Sequence, residues 1–527
     1  MNPARRTIRR LREALLGFLY ARRLLAARIT SERAMAAVRR RIDERPQAFL
    51  EMMERNIFAQ PPNPYRALLD AAGYSLPRVR ELVLRDGVEG TLRRLCDDGV
   101  YVAIEEFKGL REARRGARAF RFDPSDFRNP LVRSGLSLSS GGTRSRGIRT
   151  MLSAANHCME AERLVISLVA YGLEARPVAV WLPESHGAAS WAVLAFTAVG
   201  RVPDRWFAQL PLRFGTYDEP PAYLLGVRTA MRLGGRPLPP ITYAPPGEEA
   251  SVLRWAAGAG AGGAVIFTTP SSALRLALAA QHLGASLAGL TFVTVGEPLT
   301  PAKAAAIESV GARARSSLGF TEFGRATYGC ASAASPDDMH LCTDGIAAIT
   351  RRRTVDQAGT EIEALCFTAL RSDARRVLLN METGDYATWT PRRCGCLLET
   401  VGWSQHLDTV RSFEKLNPEG RYFLGSRLIT LIEEVLPQRF GGTPTDYQLL
   451  EREDKEGFTR LDVLVHPRLG DIDADAVWDC VAAELRSYDP LGRNTTPMWE
   501  LTGVLRVIRD EPMMTGAGKV LALHRLA

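Results

Sequence analysis

The stretch Leu318-Gly319-Phe320-Thr321-Glu322-Phe323-Gly324 is the most informative part of this chain of 527 residues. It follows a predicted helix and places a glycine, a hydroxyl and a carboxylate close together. A hydroxyl beside a carboxylate is suited to touching a phosphate while holding Mg²⁺, which prefers oxygen ligands. Thr321 and Glu322 are therefore candidate catalytic residues, and Gly319 is a candidate ligand-binding residue.

The sequence around this stretch alternates strands and helices from about residue 123. Candidate buried strands are 178–182, 264–268 and 290–295, and a helix is predicted at 273–283. Such alternation predicts a mainly parallel sheet. After Arg411 the spacing changes: strands at 447–451, 460–466 and 501–508 surround a helix at 474–486. That run is typical of a small α+β domain.

The residues before Gly109 have apolar positions at helical spacing, and a short strand is predicted at 99–104. The predicted division is a helical segment at 1–122, a large domain at 123–410 and a small domain at 411–527. The fold class is α/β, with mixed sheets and helices in the large domain.

A second motif, Ser139-Ser140-Gly141-Gly142-Thr143, combines hydroxyls with glycines. Backbone N–H groups in such a loop can close around phosphate oxygens. A plain surface loop is the alternative, and the spacing is not that of the Walker loop.

Two further motifs follow along the chain. In Glu382-Thr383-Gly384-Asp385 a turn glycine presents an aspartate able to accept both hydroxyls of a ribose. Thr515-Gly516-Ala517-Gly518-Lys519 places a flexible ammonium between glycines and the C-terminus. Only five of the 68 Lys and Arg residues are lysines, which makes Lys519 an outlier suited to reaching a phosphate.

These motifs, taken in order with Val295-Gly296-Glu297-Pro298-Leu299 and Leu424-Gly425-Ser426, resemble the adenylate-forming superfamily of acyl-CoA synthetases and adenylation domains. More closely they resemble the phenylacetate-CoA ligase family. The similarity covers residues 123 to the end. It implies an adenylation core that binds ATP and acyl substrate, and a small C-terminal domain that is mobile.

The resemblance also implies a role for each matching residue. Ser139, Ser140, Gly141, Gly142 and Thr143 would cradle the ATP phosphates, Glu322 would hold Mg²⁺, and Thr321 would contact the α-phosphate. Asp385 would bind the ribose with help from Arg411 at the hinge, Gly425 would line a thiol tunnel, and Lys519 would bridge the carboxylate and the α-phosphate. Glu297 would either cap a strand end or lie beside the adenine.

The chain departs from the family pattern at four places. Arg144-Ser145-Arg146 replaces the usual glycine, lysine and proline, and Leu318 replaces an aromatic residue. The hinge keeps one acidic residue of two, and a longer insertion follows at Asn417 to Tyr422. These changes bear more on transfer to CoA than on adenylation.

Four residues form a candidate zinc site: Cys330, His340, Cys394 and Cys396. Three thiolates and one imidazole make a closed tetrahedral set. A subset of the resembled family has these residue types in matching places, which implies structural Zn²⁺. Ordinary reduced cysteines are the alternative, and Cys342 is a substitute ligand if His340 points away.

Composition is that of a globular protein, with 46% hydrophobic and 24% charged residues. The net charge is +9, and much of the excess lies in the first fifty residues. A solvated helical face or a face for an anionic surface or partner would account for it. No aromatic residues interleave with these arginines, so no nucleic-acid partner is predicted. We find no membrane span or signal peptide and predict a cytoplasmic protein; a homodimer is left open.

The leading function is ATP-dependent activation of an aryl or arylacetic acid as acyl-AMP, followed by transfer to CoA. An amine, a hydroxyl or a carrier-protein thiol is the alternative acceptor. A non-catalytic interaction protein is the remote alternative.

Overall fold

The computed structural model describes residues 3–60, 63–139, 149–182, 188–209, 222–259, 262–354, 361–412, 415–416, 423–424, 431–443, 446–487, 502–513 and 523–525. These ranges contain α-helices, parallel strands and antiparallel strands. The predicted mixed α/β class is therefore confirmed.

The helices concentrate in the first third of the chain and around the first large sheet. In chain order they are α1 (Pro3–Ala27), α2 (Ser31–Asp43), α3 (Arg45–Met52), α4 (Pro64–Ala71), α5 (Leu76–Asp97), α6 (Ile104–Phe107), α7 (Ala154–Ala170), α8 (Ala188–Ala198), α9 (Ala222–Leu233), α10 (Ala250–Gly258), α11 (Pro270–His282), α12 (Pro301–Ser309), α13 (Leu397–Thr400), α14 (Leu436–Phe440) and α15 (Ala474–Ser487).

The strands run from the end of the N-terminal helices to the C-terminus. They are β1 (Ala113–Arg115), β2 (Arg118–Phe120), β3 (Leu136–Ser139), β4 (Arg149–Leu152), β5 (Val178–Leu182), β6 (Arg205–Ala208), β7 (Ile241–Tyr243), β8 (Val265–Thr268), β9 (Thr291–Val295), β10 (Arg313–Ser317), β11 (Gly319–Phe320), β12 (Gly324–Arg325), β13 (Thr327–Gly329), β14 (Met339–Leu341), β15 (Ile346–Thr354), β16 (Glu361–Ala369), β17 (Met381–Thr390), β18 (His406–Ser412), β19 (Lys415–Leu416), β20 (Phe423–Leu424), β21 (Tyr447–Glu453), β22 (Thr459–Val465), β23 (Leu505–Arg509) and β24 (Leu523–Arg525).

Six strands form a parallel sheet in the order β10-β9-β8-β5-β6-β7. Its central strands β5, β8 and β9 are buried on both faces. Val178 and Val180 of β5 pack with α7, α8 and α9, whereas Ala179 and Trp181 pack with α10, α11 and α12. Two-sided burial explains why these strands are continuous apolar runs. The predicted parallel sheet is confirmed.

A second six-stranded sheet, β13-β14-β18-β17-β16-β15, is antiparallel throughout. The N-terminal helices share its core, since Phe49 and Leu92 belong to one cluster with Leu365 and Phe367. Residues of the first 122 therefore complete the core that packs on this second sheet. The boundaries at 122 and 410 stay predictions.

The predicted strand at 99–104 is wrong. Val102 makes an isolated bridge to Met381, and α6 begins at Ile104. The Arg115 guanidinium donates to the carbonyl oxygens of Gly99 and Tyr101, both at 2.7 Å. In a strand, these carbonyl oxygens would accept hydrogen bonds from the N–H groups of a neighbouring strand. Here Arg115 takes that place.

The C-terminal part contains a sheet in the order β23-β22-β21-β24 with α15 packed on it. This agrees with the predicted α+β alternation. The turn between β21 and β22 contacts the large domain near α12. There, Thr300 Oγ1 donates to Glu453 Oε1 at 2.5 Å, and Lys303 Nζ donates to Thr459 Oγ1 at 3.3 Å.

The helix α1 crosses α9 at very short range. A Cβ added at Gly226 would lie 1.8 Å from the Ala14 carbonyl oxygen, and one added at Gly17 would lie 2.1 Å from the Tyr223 carbonyl oxygen. Two glycines thus allow the two backbones to touch. No helix in the described ranges is long and apolar enough to cross a bilayer.

A buried histidine ties α1 to the rest of the fold. The Tyr20 hydroxyl lies 2.9 Å from His157 Nδ1, and His157 Nε2 lies 3.0 Å from the Trp191 carbonyl oxygen. A carbonyl can only accept, so Nε2 carries the proton and Nδ1 is the acceptor. Burial lowers the pKa of His157 to about 3.

We predict that acidification weakens this tie. In the unfolded chain a histidine gains a proton below about pH 6.5, whereas folded His157 stays neutral until about pH 3. Its contribution to stability is therefore complete above pH 6.5 and is lost as the pH falls. Lowering the pH from 7 to 5 should reduce the free energy of unfolding by roughly 2 kcal/mol through this group.

Urea unfolding of the wild type and of His157→Gln at both pH values measures the effect. The variant should lack this part of the pH dependence. Equal pH dependence in both proteins would contradict the assignment.

Candidate active site

Two parallel strands bring two of the predicted motifs together. β9 ends at Val295 and β10 ends at Ser317, and the two strands pair in parallel. Their carboxyl ends therefore share one edge of the sheet, where ligands of open α/β sheets usually bind. Gly296 and Glu297 follow the first strand, and Leu318 and Gly319 follow the second.

The antiparallel sheet supplies the opposite wall. Between β16 and β17, Cys366 pairs with Glu382 and Ala364 pairs with Tyr386. The β17 strand has more residues between these two pairs than β16, so it forms a bulge there. Gly384 lies in the bulge with φ +83°, a conformation that favours glycine. Bulges re-aim side chains, and here the bulge presents Asp385 next to Arg411 of the neighbouring strand β18.

One cleft lies between these two walls. Its empty volume is about 510 Å³, counting the part that is open to solvent. Four predicted site residues from four separate segments line it: Glu297, Gly319, Asp385 and Arg411. The other lining residues are Gly296, Pro298, Ser316, Ser317, Leu318, Asp337, Met339 and Val410. The structure thus brings together residues that are up to 114 positions apart in the sequence.

Asp337 is a cleft residue that the sequence analysis missed. Its carboxylate accepts a hydrogen bond from Arg411 Nη1 at 3.1 Å. Asp337 and Asp385 are both almost fully buried, so the cleft presents two carboxylates beside one guanidinium. The adjacent acids Asp337-Asp338, directly before a strand, are the sequence signal that could have identified it.

Glu297 has a well-defined partner set at the edge of the cleft. Its Oε2 accepts a hydrogen bond from Ser271 Oγ at 2.5 Å and lies 3.6 Å from Lys303 Nζ. Ser271 N also donates to it at 3.3 Å, at the start of α11. Glu297 therefore accepts an N–H at a helix start and also lines the cleft. The two predicted roles, a strand-end cap or a place beside the adenine, stay predictions.

The motif that opened the sequence analysis forms a tight hairpin. β11 and β12 pair Gly319 with Arg325 and Phe320 with Gly324, which leaves Thr321, Glu322 and Phe323 as the turn. Gly324 has φ +86°. A three-residue hairpin loop closed by a left-handed residue is a common turn geometry and explains the glycine at its end.

A buried ion pair holds this turn in place. Glu160 of α7 accepts the Arg325 N–H at 3.1 Å and Arg375 Nη2 at 3.1 Å. Arg375 Nη1 donates to the Thr321 carbonyl oxygen at 3.2 Å. Burial lowers the pKa of Arg375, and the Glu160 carboxylate opposes that shift. Removing either partner would leave the other charge buried without compensation.

Thr321 and Glu322 are not among the described residues that line the cleft. Glu322 lines a second, smaller cavity on the other side of the turn, together with Glu160, Arg163 and Arg375. In this arrangement the structure does not bring Glu322 to the cleft, and its role as a Mg²⁺ ligand stays a prediction.

Several predicted residues lie outside the described part of the chain. They are Ser140, Gly141, Gly142, Thr143, Gly425 and Lys519. Ser139 is the last residue of β3, where its backbone pairs with Arg149.

The four predicted zinc ligands converge. One ligand atom from each of Cys330, His340, Cys394 and Cys396 lies within 4.8 Å of all the others. His340 Nε2 lies 3.6 Å from Cys394 Sγ and 3.3 Å from Cys396 Sγ. Such spacing suits a tetrahedral ion with bonds of about 2.0–2.3 Å. Because His340 points inward, Cys342 is not needed as a substitute ligand.

The surroundings orient these ligands as a metal site requires. His340 Nδ1 donates to the Trp403 carbonyl oxygen at 2.6 Å, which leaves Nε2 for the thiols. Glu399 accepts the N–H groups of Cys394 and Gly395 at 2.8 and 2.7 Å and so fixes the turn between the two cysteines. A hydrogen bond with Cys330 lowers the pKa of the Cys396 thiol, and His340 lowers it further.

The cysteine cluster lies directly behind the cleft. Residues 330–338 connect β13 to β14, and the Cys330 N–H donates to the Asp338 carbonyl oxygen at 2.8 Å. Asp338 binds His406 Nδ1 at 2.7 Å, and Asp337 of the same loop enters the cleft. The cluster and the cleft therefore share one loop.

Comparison with known proteins gives no family assignment. No protein-family model and no curated protein matches the chain. Among solved structures, a 2-hydroxyisobutyryl-CoA ligase in complex with 2-HIB-AMP and CoA is similar with a TM-score of 0.48 at 14% identity, covering 94% of this chain and 91% of that one.

Two other solved structures are similar. An AMP-forming acyl-CoA synthetase-like protein from Dyadobacter fermentans has a TM-score of 0.28 at 14% identity, covering 73% of this chain and 87% of that one. The o-succinylbenzoate CoA synthetase of Bacillus subtilis has a TM-score of 0.39 at 11% identity, covering 73% and 67%. TM-scores below 0.5 at such identities carry no inference about family or function.

Proposed function

We propose that this chain is an adenylate-forming ligase that activates a carboxylic acid with ATP. The observation that carries the proposal is the shared cleft of Glu297, Gly319, Asp385 and Arg411. Each belongs to a different motif of the resembled superfamily. That four motif residues so far apart in sequence meet in one cleft supports the proposal.

The cleft has groups suited to a nucleotide. The Asp385 carboxylate can accept both ribose hydroxyls, and the Arg411 guanidinium, already beside Asp337, adds a positive charge at the same wall. Gly319 and Gly296 leave space for a flat base at the edge formed by β9 and β10. These groups support nucleotide binding in a defined orientation.

The proposed first step needs no side-chain nucleophile. An oxygen of the substrate carboxylate attacks the α-phosphorus of ATP, the bond to the β-phosphate oxygen breaks, and pyrophosphate leaves. Negative charge grows on the phosphorus oxygens during this step. An ammonium group such as that of Lys519 would stabilise it. Mg²⁺, if held by Glu322, would supply further charge neutralisation.

In the proposed second step the CoA thiol loses its proton and its sulfur attacks the acyl carbon of acyl-AMP. The bond between that carbon and the phosphate oxygen breaks, and AMP leaves. An aryl or arylacetic acid is the proposed substrate class, by resemblance alone. The altered hinge after Arg411 keeps an amine, a hydroxyl or a carrier-protein thiol as the alternative acceptor.

We predict acid-dependent exchange between ATP and radiolabelled pyrophosphate. A panel of aryl, arylacetic and aliphatic acids should contain at least one that drives it. Asp385→Ala should slow exchange by about a hundredfold or more, because a positioned charge in the nucleotide site is lost. Asp70→Ala, on the exposed face of α4 beside Arg66, is the matched control and should retain full exchange.

Absence of exchange with every acid would instead favour the non-catalytic interaction protein. If exchange occurs, mass spectrometry of products with and without CoA identifies the acceptor. A thioester formed only with CoA supports the ligase, and accumulation of acyl-AMP in its presence supports the alternative acceptors.

We predict that Lys519→Ala separates the two steps. Exchange should fall by about a hundredfold, whereas thioester formation from supplied acyl-AMP should stay near the wild-type rate. The reason is that a mobile small domain would withdraw Lys519 from the site after adenylation. The rates of pyrophosphate exchange and of thioester formation from supplied acyl-AMP are measured separately. An equal loss of rate in both half-reactions would count against the domain movement.

We also propose that Cys330, His340, Cys394 and Cys396 hold a structural Zn²⁺. The convergent ligand atoms, the Trp403 carbonyl behind His340 and the Glu399 clamp on the C-x-C turn support it. The ion would brace the loop that carries Asp337, and would take no part in the chemistry.

We predict one zinc ion per chain in the purified protein, as measured by inductively coupled plasma mass spectrometry. The double variant Cys394→Ser and Cys396→Ser should lose the metal and melt at a lower temperature, since a closed zinc site contributes folding energy. The control is Cys158→Ser, which replaces a half-buried cysteine outside the cluster. This variant should keep the zinc content and the melting temperature of the wild type. Zinc far below one equivalent in the wild type would refute the site.

A further inference from the structure

The N-terminal helix α1 exposes a row of large apolar side chains. Ile8, Leu11, Leu15 and Leu19 recur at spacings of three and four residues, and Leu16 lies beside them. Their exposed fractions are between 44% and 67%. Five of the twelve large hydrophobic side chains that are exposed in the described residues belong to this one helix, so the row is a concentrated feature.

This exposed row is separate from the face by which α1 packs on the protein. Tyr20, Ala21 and Leu24 are buried, and Gly17 touches α9. By helical geometry, the face that carries Leu15 and Leu19 is opposite the face that carries these buried residues. The row therefore does not belong to the core. Its length, from Ile8 to Leu19, is about 17 Å along the helix axis.

Arginines flank the row on the same exposed side. Arg9, Arg12, Arg22 and Arg23 are all exposed. In all, α1 contains seven arginines and one acid, Glu13, which lies 3.7 Å from Arg9. A long guanidinium side chain can lay its stem on an apolar surface while its charge reaches an anion beyond it.

The adjoining helix α9 continues this surface. Leu225 and Leu233 are exposed by 66% and 71%, and Arg232 and Arg236 near the end of the helix are exposed as well. Because α1 and α9 touch through their backbones at Gly17 and Gly226, they form a rigid two-helix platform.

We infer that this platform, and α1 above all, binds the surface of an anionic lipid bilayer. The apolar row enters the boundary between headgroups and acyl chains, and the flanking arginines reach the lipid phosphates. An apolar stripe edged by basic residues on a surface helix is the arrangement that suits such a boundary. The inference does not depend on the proposed function, because it uses none of the cleft residues.

The charge pattern favours a lipid surface over two other occupants. In a symmetric contact with a second copy, the same arginines would face one another with one acid per helix to offset them. In a complex with nucleic acid the arginines would meet phosphates, but the central leucines would gain nothing. Within the described residues, α1 and α9 expose no aromatic side chain for stacking. An anionic bilayer matches both the leucines and the arginines.

Co-sedimentation of the full-length protein with vesicles tests the inference. Vesicles of phosphatidylcholine alone are compared with equimolar phosphatidylcholine and phosphatidylglycerol at low salt. We expect at least about tenfold tighter binding to the anionic vesicles, weakened by added salt. Leu11→Ser with Leu15→Ser, and separately Arg12→Gln with Arg22→Gln, should each reduce that binding about tenfold or more.

Leu84→Ser with Leu283→Ser is the matched control. These leucines are exposed by 81% and 66% but lie outside the platform, so binding should not change. Circular dichroism checks that all variants are folded. Equal binding to both vesicle types, binding to neither, or a dimer in sedimentation velocity that the Leu11 and Leu15 changes dissolve would each overturn the inference.

Discussion

The carboxylate of Glu160 is the constraint on which the rest of the site depends. It is buried within α7 and accepts hydrogen bonds from the backbone of Arg325 and from the guanidinium of Arg375. One negative charge thereby joins a helix, a hairpin turn and the loop before β17. A buried charge tolerates little change in its partners. The position of the turn follows from these contacts.

The cleft is formed where the two large sheets meet. One wall is the carboxyl edge of a parallel sheet, and the other is a bulge in an antiparallel sheet, so neither unit alone contains the site. The loop between β13 and β14 links the cleft to the cysteine cluster. Asp337 of this loop contacts Arg411, and the N–H of Cys330 donates to the neighbouring Asp338 carbonyl oxygen. The hydrogen bonds of this loop and the buried core around Cys330 and Cys396 therefore both lie behind the cleft.

The sequence predicted the fold class and the parallel strands because continuous apolar runs bounded by turns are local signals. Gly319 and Asp385 entered through short motifs that carry glycines, and Glu297 and Arg411 entered with the family resemblance. The structure places all four on one cleft, and their roles stay predictions. Asp337 and Glu160 escaped, since their roles depend on contacts across 74 and 165 positions. The strand expected at 99–104 failed for the same reason: Arg115 takes its carbonyl groups through a tertiary contact.

The contact of the small domain with α12 has a consequence for the cleft. Lys303 is buried between Glu297 and the Thr459 hydroxyl of the β21–β22 hairpin. Any displacement of that hairpin would admit water to the ion pair and loosen a carboxylate that borders the ligand space. The polarity of the pocket and the placement of the C-terminal sheet are thus physically linked through a single ammonium group.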